Sequence, residues 1–187
     1  MIPDVLEHRL AEHCAPTLLG AKAASLLSLS REEFPELPEA LRRYNRTLYR
    51  TGLRFLILRE TSQRSLILVF RPALLRSRLN TAGAKALLQC FDYPETDCLG
   101  VLLRRLKKRF TPGGDFPHEI GLFLDYPPED VEAFIAGSSE CKLCGYWKVY
   151  GDVDGARERF ACYDACRLCL CRMLAAGNTI SQLLQTA

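Results

Sequence analysis

The segment from Leu53 to Arg71 constrains the fold more than any other part of the chain. Leu53-Arg54-Phe55-Leu56-Ile57-Leu58-Arg59-Glu60 and Ser65-Leu66-Ile67-Leu68-Val69-Phe70-Arg71 are rich in branched and aromatic residues, and the polar Thr61-Ser62-Gln63-Arg64 lies between them. Two such runs joined by a short polar turn predict an antiparallel hairpin. Their apolar stretches are almost unbroken, so neither strand keeps a face for water, and both are expected to be covered. Pro72 closes the second strand because it has no N–H to give to a ladder.

Around this hairpin the pattern is mostly helical. Pro16 near a first helical position, with Leu18, Leu19, Ala23, Leu26 and Leu27 as an apolar stripe, predicts a helix that opens at Cys14. A second helix is expected from Pro38 to Arg50, stopping at Thr51-Gly52. Further helices are expected at about 73–90 and 95–110, separated by Phe91-Asp92-Tyr93-Pro94, with Thr111-Pro112-Gly113-Gly114-Asp115 as a loop. His118 to Leu124 reads as a strand, and Pro127-Pro128-Glu129-Asp130 opens a helix with proline and acids in its first turn. Gly145 to Tyr150 reads as another strand. Asp152 is placed to cap a long helix over about 153–175, which Gly177 ends, and a short helix covers Ile180 to Leu184. The expected architecture is α/β or α+β: one domain over 1–187, with a mixed sheet of about four strands that includes the 53–71 hairpin, covered by helices.

Composition narrows the function classes. Of 187 residues, 48% are hydrophobic and 25% charged, ordinary values for a globular chain long enough to bury a full core. A net charge of +3 is too mild to call for nucleic acid. The densest basic run, Arg104-Arg105-Leu106-Lys107-Lys108-Arg109, fits the solvated last turn of a helix, where cations complement the dipole. Met-Ile-Pro-Asp-Val-Leu-Glu-His has no apolar signal-peptide core, and no run approaches a membrane span. A cytoplasmic protein with reduced thiols is expected, with neither membrane nor nucleic acid as partner.

Three blocks are more specified than the rest: His13-Cys14-Ala15-Pro16-Thr17-Leu18-Leu19-Gly20, Phe116-Pro117-His118-Glu119-Ile120-Gly121-Leu122-Phe123-Leu124, and Cys144-Gly145-Tyr146-Trp147-Lys148-Val149-Tyr150-Gly151-Asp152. They gather a thiol, two of the three histidines and the single tryptophan into short segments rich in Gly, Pro and aromatics. With Arg54–Glu60 and Tyr126-Pro127-Pro128-Glu129-Asp130-Val131, they resemble a bacterial family, the domain-of-unknown-function family numbered 3793, found mainly in anaerobes. The resemblance runs from about His13 to Tyr163 and implies no particular chemistry. The C-terminal cysteines stand outside it.

The candidate site rests on Cys14, His118 and Glu119. A thiol at a helix N-terminus faces unpaired N–H groups and the positive end of the dipole, which favour thiolate. Cys14-Ala15-Pro16-Thr17 is similar to the nucleophile helix of papain-like cysteine peptidases that begin Cys-Gly-Pro-Thr. That likeness implies a later histidine, here His118, oriented by a polar residue such as Asp125 or Asp152. The bland alternative is a buried Cys14 beside a capping His13. Glu119, in an apolar run, demands a partner, with Lys148 or Arg59 as candidates, or else serves the site. Candidate ligand contacts are His13, Arg59, Glu60, Tyr146, Lys148 and Asp152. On a period of two, Tyr146, Lys148 and Tyr150 share one face and Trp147 and Val149 the other, Trp147 being core.

The remaining cysteines are not expected to form a cofactor site. Cys162, Cys166 and Cys169 have C-x3-C-x2-C spacing, but they fall on one helical face, with little chain after them to build a cofactor pocket. They read as core thiols. Cys141-Lys142-Leu143-Cys144 supplies two ligands where a structural zinc needs four; Cys162 with Cys166, or His118 with Cys14, would have to complete it. The assignment is no metal and no cofactor. Three functions compete: a small thiol-dependent enzyme with Cys14 as nucleophile and His118 as base, a ligand- or metal-binding accessory protein, and an interaction module. The partner is an unspecified small molecule or peptide.

Overall fold

The computed structural model describes residues 2–111 and 114–185. Pro112 and Gly113 of the expected 111–115 loop lie outside the described residues. In chain order the elements are α1 (Ile2–Leu18), β1 (Ala24–Ser30), α2 (Leu37–Thr47), a 3-10 turn (Tyr49–Thr51), β2 (Arg54–Glu60), β3 (Arg64–Phe70), α3 (Pro72–Leu79), α4 (Ala82–Gln89), α5 (Leu99–Arg109), α6 (Ile120–Phe123), α7 (Pro128–Ile135), β4 (Leu143–Cys144), β5 (Lys148–Val149), α8 (Val153–Ala175) and α9 (Ile180–Gln185). The class is mixed α+β. Two compact units are present: one from the N-terminal segment through Pro72 together with the segment from Tyr163 onward, the other Ala73–Cys162. No helix among the described residues is long and apolar enough to cross a membrane.

The first unit is built on the expected hairpin. β2 and β3 pair antiparallel with Leu56 opposite Leu68 and Ile57 opposite Ile67. The third strand of this sheet is β1, antiparallel on the other side of β3 with Leu27 opposite Ile67. This corrects the four-stranded mixed sheet: the sheet has three strands, all antiparallel, and neither 118–124 nor 145–150 joins it. Leu6, Leu10 and Cys14, spaced four apart on α1, pack with Leu27 and Leu29 of β1, Tyr44 of α2 and Leu170 and Leu174 of α8. Each fully buried leucine contributes about 1.5–3 kcal/mol. Glu7 is buried in this unit, where one carboxylate oxygen accepts the Tyr44 hydroxyl at 3.1 Å and the other the Ile180 N–H at 3.0 Å. Those bonds hold a charge that would otherwise be costly to bury.

The helix expected to open at Cys14 instead runs through it and ends at Leu18. Gly20 has φ +85, and the N–H groups of Ala21 and Gly20 return to the carbonyls of Pro16 and Thr17 at 2.8 and 3.2 Å. This is a Schellman ending, which asks for a residue without Cβ at the left-handed position. Arg71 completes it by donating to the Thr17 and Leu18 carbonyls of α1 and to Thr51. Residues 24–30 then form a strand. The stripe of Leu26 and Leu27 is shared by helix and strand patterns over so short a run.

In the second unit the run 118–124 is a chain of tight turns and a short helix. The N–H groups of Ile120, Gly121 and Leu122 bond the carbonyls of Pro117, His118 and Glu119. Ile120 to Asp125 are all buried, so no alternation existed to separate strand from helix. Gly145–Tyr150 is likewise no continuous strand: β4 and β5 are two residues each, paired Leu143 with Val149 and Cys144 with Lys148. The expected faces survive, with Trp147 and Val149 buried and Lys148 exposed. The expected 73–90 helix breaks into α3 and α4 between Leu79 and Ala82. Asp152 caps α8 as expected, accepting the Gly155 N–H at 3.0 Å, and Gly177 follows the helix at φ +89.

Candidate functional site

Asp130 anchors the walls of an apolar cavity in the second unit. It is in the first turn of α7 and 3% exposed. One carboxylate oxygen accepts the Trp147 indole N–H at 2.8 Å; the other accepts the N–H groups of Tyr150 at 2.7 Å and Gly151 at 2.8 Å. Three donors from one loop thus converge on one buried charge, which fixes the β4–β5 hairpin against α7. Trp147 stacks on Tyr126 with ring centroids 5.2 Å apart and meets the Phe160 ring edge-on at 4.6 Å. The Tyr126 hydroxyl donates to the Tyr146 carbonyl at 3.1 Å, and burial pushes this phenol up to about 12, so it stays neutral. Gly121 lets α6 approach α7: a Cβ there would lie 2.7 Å from Val131 Cγ2.

These contacts leave a cavity of about 390 Å³. Ile120, Gly121 and Leu124 form one wall and Val131, Tyr126 and Trp147 another. Phe116, His118, Phe134 and Lys148 stand at the exposed mouth, where Phe116 is 46% and Phe134 39% exposed. His118 meets Phe134 edge-on at 5.1 Å, and Lys148 Nζ lies 5.5 Å from the centre of the Phe134 ring. The arrangement is an apolar pocket with one ammonium and one imidazole at its rim and the buried, fully hydrogen-bonded Asp130 carboxylate in its lining.

A smaller, polar cavity of about 200 Å³ lies in the same unit, lined by Arg78, Asp125, Glu129, Asp152 and Arg159 among others. Asp125 holds a left-handed backbone at φ +64, and its carboxylate pairs with Arg78 Nε at 2.8 Å. Asp125 and Asp152, the two candidates for orienting an imidazole, are thus placed as an ion-pair partner and a helix cap.

The family model described as "Protein of unknown function (DUF3793)" matches residues 10–184. The chain belongs to this family. No curated protein and no solved structure matches it. In this DUF3793 protein, two of the three blocks that stand out in the sequence, Phe116–Leu124 and Cys144–Asp152, meet around one apolar pocket. The third block, His13–Gly20, belongs to the first unit and forms the end of α1.

The expected site residues are distributed as follows. Cys14 is not at a helix N-terminus; it lies in the last part of α1, fully buried in the first unit's core. Burial pushes its thiol up to about 12, and the nearby Lys22 charge offsets this only in part. His13 is exposed and lines a groove in the first unit; Arg59 and Glu60 lie on β2. Tyr146 is half-buried against Phe160 at 5.5 Å. Lys148 is at the pocket mouth. Glu119 has the partner its burial demands, but that partner is Arg109, whose Nε donates at 2.8 Å, and the Tyr93 hydroxyl donates to the same oxygen at 3.3 Å. Burial and the Glu119 charge push the Tyr93 phenol upward. Arg109→Met is expected to cost about 2–3 kcal/mol, less than a fully buried pair because Arg109 is about one-third exposed. Urea unfolding checks this: Arg109→Met with Glu119→Leu should recover part of the loss, and a loss equal to the sum of the single changes would argue against the pair.

The C-terminal cysteines need correction. Cys162, Cys166 and Cys169 do share α8, but Cys162 and Cys169 are exposed and Cys166 half-buried. The buried line of α8 runs through Tyr163, Leu170 and Leu174; Cys166 packs beside it against the first unit's core, whereas Cys162 and Cys169 are offset from it. Among the described residues, no group of three or more His, Cys, Asp or Glu is placed to hold a metal ion. The sequence reading missed Phe134, Tyr126 and the anchoring role of Asp130. Asp130 looked like any first-turn acid, because the three N–H donors that meet it lie some twenty residues further along the chain and nothing in its local sequence marks it.

Proposed function

We propose that this protein binds a small molecule with an apolar body and an anionic group, held in the pocket of the second unit. The observation that carries this reading is the 390 Å³ apolar cavity with Lys148 and His118 at its mouth. Its volume lies within the roughly 300–1,000 Å³ of small-molecule sites, and such sites pair apolar walls with a few polar groups that set orientation. Val131, Phe134 and Trp147 bury the ligand's body, and the Lys148 ammonium faces its charge. A binding role is better supported than a thiol enzyme, because Cys14 as nucleophile would need an accessible sulfur and a lowered pKa, and its surroundings favour neither.

The test uses 1-anilinonaphthalene-8-sulfonate, an apolar anion, with the single Trp147 as energy donor. Saturable one-site binding is expected. Lys148→Glu should weaken it at least about tenfold, while a neutral apolar dye is little affected. Phe134→Asp should abolish binding of both. Binding that ignores both substitutions, or none that saturates, overturns the reading.

A further inference from the structure

The net charge of +3 conceals one very uneven stretch. Residues 40–59 hold six arginines, Arg42, Arg43, Arg46, Arg50, Arg54 and Arg59, and no Asp or Glu. The first three lie on α2, Arg50 in the 3-10 turn that follows, and Arg54 and Arg59 on β2. Arg42, Arg43, Arg46 and Arg50 are exposed. Among the described residues none of the six makes an ion pair, whereas Arg9, Arg78 and Lys85 each meet a carboxylate. The acid of α2, Glu39, lies in its first turn, whereas Arg46 lies in its last. The neighbouring α9 adds no acid; its Gln185 amide donates to the Thr47 carbonyl at 3.4 Å. A helix C-terminus favours a cation, which accounts for Arg46 but not for a run that continues through the turn into a strand.

Within this stretch Tyr49 stands outward. At 66% exposure it is the most exposed large hydrophobic side chain among the described residues. Its backbone is fixed: the Thr51 N–H returns to the Leu48 carbonyl at 3.2 Å, and Gly52, at φ +71, returns its N–H to the Tyr49 carbonyl at 3.4 Å. Its ring is held as well. The Arg54 guanidinium carbon lies 4.2 Å from the ring centre, and Nη1 of that side chain donates to the Tyr49 and Leu53 carbonyls at 3.1 and 2.7 Å. Arg54 thus covers one face of the ring by a cation–π contact, and the exposure leaves the other face to solvent. An open groove of about 480 Å³ runs beside it, lined by Asn45, Arg46, Thr47, Tyr49 and Arg50.

We infer that this surface binds single-stranded nucleic acid, with the arginines on the phosphates and the Tyr49 ring stacked on a base. Single-strand sites without sequence preference combine those two parts, a cationic track for the backbone and aromatic faces for the bases. In a duplex the bases are stacked on one another and offer Tyr49 no face. An acidic peptide or an anionic membrane would use the arginines and leave the ring without a planar partner. The mild net charge that argues against nucleic acid is a sum over the whole chain. Screening limits the reach of each charge to about 8 Å, so the local excess governs what the surface attracts. The surface lies in the first unit and does not rest on the pocket proposed above.

The test uses the full chain with a fluorescein-labelled oligo-uridine of about twelve nucleotides, within the span of single-strand sites. Saturable binding is expected. Its log affinity should fall against log salt with a slope of about −2 to −3, from ~0.7 per phosphate for three or four arginines. Tyr49→Ala should weaken binding at least about fivefold, and Tyr49→Phe, which keeps the ring, should not. An abasic strand of the same length should bind more weakly and ignore Tyr49→Ala. Arg46→Glu with Arg50→Glu should lower affinity at least about tenfold and flatten the salt slope by about one. Should that double variant fail to fold, Tyr49→Ala, on an exposed side chain, carries the test with the two strands. Affinity unchanged in the folded variants, a salt slope near zero, or equal binding of the abasic strand would overturn the inference. So would vesicles of phosphatidylserine and phosphatidylcholine, or poly-glutamate, binding as tightly as the oligonucleotide and weakened by the same substitutions.

Discussion

Asp130→Ala is expected to destabilise the second unit by about 3–5 kcal/mol, the cost of stranding buried partners of a removed charge. Three donors lose their acceptor at once: the Trp147 indole N–H and the N–H groups of Tyr150 and Gly151. Water can reach Gly151, which is exposed, so the loss falls short of three full charge-assisted bonds. Trp147 cannot be compensated as readily, since it is 7% exposed and packed between Tyr126 and Phe160. Asp130→Asn keeps the shape and one good acceptor, and is expected to cost about half as much. Urea unfolding followed by Trp147 fluorescence reads the change directly, because the chain has one tryptophan. A loss below about 1 kcal/mol would show that the carboxylate does not anchor the loop. The same variant should lose the apolar anion, since the pocket wall carrying Trp147 and Lys148 depends on that anchor.

The second large effect concerns thiol chemistry. In the native protein, Cys14 is expected to react with iodoacetamide at least about a thousandfold more slowly than an exposed thiol, because access requires local or global opening. Six cysteines are exposed, Cys90, Cys98, Cys141, Cys144, Cys162 and Cys169, and provide the internal comparison. Burial raises the Cys14 thiol from an ordinary 9.0 to about 12. An acid whose folded-state pKa is raised favours folding through its neutral form. That contribution is whole below pH 9 and is lost as the pH climbs towards 12. Labelling of Cys14 between pH 7 and 9 should therefore rise no faster than the opening reaction allows. Peptide mapping after timed alkylation measures this. Modification of Cys14 as fast as Cys90 would restore the nucleophile reading.

What the sequence by itself determined was local and periodic. The 53–71 hairpin is legible because its two apolar runs and polar turn need no distant partner to be recognised. The α8 cap at Asp152 and the faces of Trp147, Lys148 and Val149 follow from near neighbours alone. The family was legible too, since its motifs are contiguous. Tertiary structure decided the rest. Residues 24–30 became a strand because β3 offered a free edge, although their leucines fit a helix equally well. That residues 118–124 form turns and a short helix was not legible, because Glu119 to Leu124 are all buried and so lack the alternation that separates strand from helix. Cys14 changed from a helix start to a helix core when α1 proved to run N-terminal of it. The pocket itself depends on a carboxylate in α7 finding three donors some twenty residues away, a pairing that no spacing rule encodes. Periodicity records what a residue does for its own element, whereas burial and hydrogen-bond partners are properties of what the fold brings next to it.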